Sequence, residues 1–97
     1  MELGVEQLKW KLRGISNKLG LAVDYIDRAA YRSSRTSDSQ AVVDLLLKTS
    51  NELFMQQVEI RQWIDKLDTA TPEERNTIEK TADAYYKSST PLFDGLD

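Results

Sequence analysis

Val5, Leu8, Leu12, Ile15, Leu19, Ala22, Ile26 and Ala29 recur in alternating steps of three and four. A helix returns to the same face after three or four residues, so these positions form one apolar seam over more than three heptads. Val43, Leu46, Ser50, Leu53, Gln57, Ile60, Ile64 and Leu67 repeat the pattern. Two seams of this length leave the chain little choice. Each must lie against another helix, and no stretch alternates with the period of a strand.

The first seam predicts a helix over residues 3–34. The run Tyr31-Arg32-Ser33-Ser34-Arg35-Thr36-Ser37 ends it, because hydroxyl side chains compete for backbone hydrogen bonds. Ser37-Asp38-Ser39-Gln40 then reads as a capping box, with Ser37 as N-cap and Gln40 at the third helical position. The second helix is expected over 38–67. Ser50 and Gln57 are the polar members of its seam, which lowers stability but fixes register. Gly14 and Gly20 flank the first seam; either they weaken the helix or they admit another backbone.

Thr71-Pro72-Glu73-Glu74 is the strongest local signal: an N-cap, a proline at the first helical position and a glutamate placed to complete a capping box. It opens a third helix over 72–88 with Ile78, Ala82 and Tyr85 on one face. Pro91 is expected to stop it, leaving a tail over 89–97 whose Leu92, Phe93 and Leu96 can dock on a groove.

A short connection makes the first two helices an antiparallel hairpin, with Trp10 level with Trp63. The third helix, about 25 Å long against about 45 Å for the others, then covers only the open-end half. The two tryptophans are expected to help seat it. The fold class is therefore all-α, a long antiparallel helical hairpin with a shorter third helix, bundle-like, in a single domain over 1–97.

The chain has 97 residues, with neither cysteine nor histidine. That removes disulfides, thiol chemistry, the usual metal ligand and the usual general base. Glu73, Glu74, Glu79 and Asp83 form a carboxylate run, better explained by the helix dipole than by a metal. No catalytic residue, metal or cofactor is expected, and the protein reads as a non-enzyme. Residues 1–36 carry seven Lys or Arg against four Asp or Glu, a net of +3. Residues 37–97 carry six against twelve, a net of −6, so oppositely charged helices are expected to lie side by side. With a pI near 4.9 and no single basic stripe, the sequence argues against nucleic acid as a partner. It has neither a membrane-span-length apolar run nor a secretory signal, and the expected location is the cytoplasm.

The stretch 41–47 is the most apolar in the chain. Tyr25, Tyr31, Val42, Leu45, Leu47, Phe54 and Met55 lie off the seams, near the turn and beyond the third helix. Surplus apolar surface of this kind marks an interface. The expected function is a protein-binding module (a small helical adaptor, inhibitor or chaperone) that takes another protein, itself, or both through the turn-end half. The alternative is an anionic small ligand, such as a nucleotide, held by Arg32, Ser33, Ser34 and Arg35 at the turn or between subunits.

Overall fold

A computed structural model describes residues 4–36 and 39–94, with the backbone alone for 91–94. It contains three helices: α1 (Val5–Ser34), α2 (Gln40–Lys66) and α3 (Pro72–Asp94). The fold is all-α, a long hairpin of α1 and α2 with the shorter α3 beside it.

Both seams are where the spacing put them. Leu8, Leu12, Ile15, Leu19, Ala22 and Ile26 are buried on α1, against Val43, Leu53 and Ile60 of α2 and Leu67 just past its end. At the end of α1 the burial moves from Ala29, half-buried, to Ala30, which is 3% exposed. A straight helix turns every 3.6 residues, so a strict heptad drifts off the contact line after several repeats.

The polar members of the second seam fix the register. Buried Gln57 donates its side-chain N–H to the Ser16 carbonyl at 3.0 Å, and Ser50 donates its hydroxyl to Asp27 at 2.5 Å. Gly20 makes the first bond possible. A Cβ there would stand 2.6 Å from Gln57 Nε2. Gly20 thus admits a side-chain amide rather than another backbone, and Gly14 faces open space.

The helix ends show which local signals held. Thr71 and Glu74 form the capping box as expected: Glu74 N–H donates to Thr71 Oγ1 and Thr71 N–H to Glu74 Oε1, both at 3.1 Å. These bonds hold the Glu74 carboxyl below its usual range, the backbone N–H contributing most and the hydroxyl next. At α1 the Gln7 side chain accepts from Gly4 N–H at 3.2 Å. The N-cap of α2 is Ser39, and Gln40 is its first residue rather than its third. Ser37 and Asp38, which carried the expected box, lie outside the described residues.

Two expectations about α3 are corrected. It does not stop at 88 but runs through Pro91 to Asp94. Ser88 and Thr90 back-bond to the Tyr85 and Tyr86 carbonyls, each at 3.0 Å, so they continue the helix instead of breaking it. Proline forfeits one backbone donor, and the helix tolerates that loss in its last turn. The side chains of Leu92, Phe93 and Leu96, the expected docking tail, lie outside the described residues.

The second correction is Trp10. It is 69% exposed and seats nothing. α3 approaches α1 from the neighbouring side, where Lys11 meets Asp83 at 3.0 Å and Glu79 at 3.6 Å. Trp63 does seat α3: its ring stacks on Tyr85 with centroids 5.9 Å apart. Tyr85 in turn donates its hydroxyl to Glu59 at 2.6 Å. The basic start of α1 thus meets acidic partners, with Lys9 2.9 Å from Asp68 completing the pattern.

Candidate functional site at the turn end

How far α3 reaches decides what is left uncovered. Its 23 residues span about 35 Å of a molecule 51 Å long. Since Lys11 meets both Glu79 and Asp83, Asp94 comes roughly level with Asp24 of α1 and with Ser50 across the hairpin. α3 therefore reaches past the open-end half but not to the turn.

Every side chain expected at the turn-end surface is exposed: Tyr25 49%, Tyr31 62%, Val42 45%, Leu45 64%, Leu47 49%, Phe54 47% and Met55 51%. They do not form one patch. The side of α2 that faces α3 is marked by Trp63 and Glu59, which meet Tyr85. Stepping back from them by threes and fours gives Gln56, Glu52, Thr49, Leu45 and Val42. On α1 the corresponding line starts at Lys11 and passes through Lys18, Tyr25 and Arg32 in steps of seven. Tyr25, Val42 and Leu45 thus continue the groove in which α3 lies, with half-buried Ala29 and Leu46 between them.

Leu47 and Phe54, seven apart, lie on the opposite flank of α2, the side of the Asp27–Ser50 bond, with Tyr31 across from them. Phe54 and Met55 are roughly level with the last turns of α3, so they sit beside it rather than past its end. Leu21, 57% exposed, was missed. It is apolar and off the seam like the others, and it lies just past the level that a third helix ending at residue 88 would reach.

The turn does not collect its polar groups around one point. Arg35 Nη1 donates to the Tyr31 hydroxyl at 3.0 Å, with its guanidinium 5.6 Å from that ring. Ser34 donates its hydroxyl to the Tyr31 carbonyl at 2.7 Å, and Thr36 to the Ser33 carbonyl at 3.1 Å, so both cap the end of α1. Arg32 shares a surface depression with Asp27, Arg28 and Tyr31, where the carboxylate opposes an anion.

Three ionisable groups where the helices meet at the open end are shifted by their packing contacts. The Asp68 hydrogen bond raises the Lys9 pKa against the opposing effect of burial. For Lys11 burial is the largest influence and lowers the pKa, but Asp83 and Glu79 together raise it. Tyr85 is raised, first by its hydrogen bond to Glu59 and then by burial. Among the described residues no helix is long and apolar enough to cross a membrane.

Comparison of the chain with protein-family models, curated proteins and solved structures finds no match.

Proposed function

We propose that this protein is a non-enzymatic binding module that receives an amphipathic helix of another protein in the turn-end groove. One observation carries the reading: the groove filled by α3 runs on beyond Asp94 with Tyr25, Val42 and Leu45 49%, 45% and 64% exposed along it. A helix laid end to end with α3 buries those side chains as α3 buries Ala82 and half-buries Ile78. Arg32, exposed on the α1 rim past the end of α3, offers a charge that orients such a helix. Three such side chains present roughly 300 Å², a contact for a short helix rather than a whole domain.

The test is affinity capture from the source cell with the wild-type chain and with Val42→Glu/Leu45→Glu, read by quantitative mass spectrometry. The proposal expects at least one protein retained by the wild type and reduced tenfold or more by the substituted chain. The same proteins in the same amounts on both would refute it.

A further inference from the structure

The outer face of α1, opposite its seam, carries Trp10, Gly14, Leu21 and Tyr25 in steps of four, seven and four. It is a different surface from the turn-end groove, and Tyr25 borders both. Trp10 is the most exposed large apolar side chain among the described residues, at 69%, with Leu21 at 57%. Gly14 lies between them, and a Cβ there would meet nothing within 4 Å. Glycine is a poor helix former, and the fold of this chain does not call for one at that position.

Along the same face lies a shallow depression of about 270 Å³ lined by Leu21, Asp24, Tyr25 and Arg28. These are positions i, i+3, i+4 and i+7, the four residues that form the hole for a knob from a facing helix. The chain's own Trp10 is about 22 Å away along the helix and cannot fill it.

The charges say what can. From N- to C-terminus this face and one edge read Glu6, Arg13, Asp24 and Arg28, minus, plus, minus, plus, while its other edge carries Lys18 and Arg32. Read in reverse, the order is plus, minus, plus, minus. That first edge is therefore complementary to itself in antiparallel alignment and repels itself in parallel alignment, its four opposite-charge pairs outnumbering the one Lys18 pair that the other edge brings level. If Trp10 is set opposite the depression, Gly14 comes level with the second copy's Leu21 and Asn17 with its Lys18. Arg13 then lies within about one residue's rise or two of the second copy's Asp24, and Glu6 within about one of its Arg28. A two-fold axis makes every contact twice.

We propose that the occupant is a second copy of this chain. Two α1 helices pair antiparallel through their outer faces, and each Trp10 fills the other's depression. Arg28 lies over the inserted indole, Asp24 accepts from its N–H or from Arg13, and Gly14 gives Leu21 room for close approach. The turn-end groove stays open in the dimer, so the two proposals stand or fall separately.

Sedimentation equilibrium with the full chain tests it. The wild type should sediment at about twice 11.1 kDa. Trp10→Ala and Leu21→Glu should each raise the dimer dissociation constant tenfold or more with an unchanged helical signal. Val42→Glu/Leu45→Glu should leave it within twofold. Arg13→Asp and Asp24→Arg should each weaken the dimer, and the double substitution should restore it. Because the chain has no cysteine, Asn17→Cys should cross-link through a short bismaleimide while Arg28→Cys, about 30 Å from its counterpart, should not. A monomer at millimolar concentration overturns the proposal. So does a dimer indifferent to Trp10→Ala and Leu21→Glu, or one in which Arg28→Cys cross-links as fast as Asn17→Cys.

Discussion

Replacing Gly20 with alanine sets a general rule against one contact. Alanine in a helix interior is worth about 1 kcal/mol over glycine, so the rule predicts stabilisation. Here the new Cβ would stand 2.6 Å from Gln57 Nε2 and 3.5 Å from Gln57 Cδ. The Gln57 amide must move, and it loses its 3.0 Å bond to the Ser16 carbonyl inside a site only 7% exposed. Leaving a buried amide without a partner costs about 1–3 kcal/mol. The sum is a net destabilisation of about 1 kcal/mol. In a Gln57→Ala background the obstruction is gone, and the same substitution should stabilise by about 1 kcal/mol. Urea denaturation followed by circular dichroism on the four proteins of this cycle gives a coupling of about 2 kcal/mol. Equal stabilisation by Gly20→Ala in both backgrounds would refute the reasoning, since Gly20 would then not be what admits Gln57.

Three further outcomes are expected. Leu45→Glu/Leu47→Glu, at exposed positions, should change unfolding free energy by less than about 0.5 kcal/mol per site, while Leu53→Ala, 5% exposed, should cost about 2–5 kcal/mol by denaturant unfolding. Glu74 has a lowered folded pKa, so its contribution is present above the unfolded value near 4.5 and is lost as pH falls through the folded value; Thr71→Ala, which removes the hydroxyl but keeps the backbone N–H that contributes most, should flatten that acid limb only in part in melts between pH 6 and about pH 3. Tyr85 has a raised folded pKa, so its contribution is present below the unfolded value near 10.0 and is lost as pH rises through the folded one; Tyr85→Phe should remove that component from alkaline melts.

The parts of the fold that rest on local spacing were legible in the sequence. Leu12, Leu19 and Ile60 are buried because each lies three or four residues from its seam neighbours, and that is visible without coordinates. Ser50 and Gln57 stood out as polar residues on an apolar line, and each meets a specific partner on α1. The Thr71–Glu74 box is local chemistry and formed as read. What was not legible depends on how elements choose each other. Trp10 lies about 100° around the helix from Lys11, and either side of α1 could have received α3. α3 lies on the Lys11 side, where Tyr85 stacks on Trp63 and Glu79 and Asp83 pair with Lys11, and Trp10 is left in solvent. Pro91 was misread because the donor it lacks and its crowding of the carbonyl four residues earlier are local penalties, which do not by themselves set where α3 ends. The turn-end side chains were found by exclusion, being apolar and off the seam. The same rule applied to every off-seam apolar position of α1 would have found Leu21.

If the turn-end groove, continuing the path of α3, takes a helix from another protein, that helix lies against Leu45. A photo-reactive phenylalanine analogue at position 45, compared in the source cell with one at Gln62, tests it most directly. Leu45 lies on the groove, and Gln62 is exposed on the outer side of α2 at the open end. A discrete adduct with another protein is expected from position 45 and none from position 62. Adducts of equal yield from both positions, or none from position 45, would contradict it.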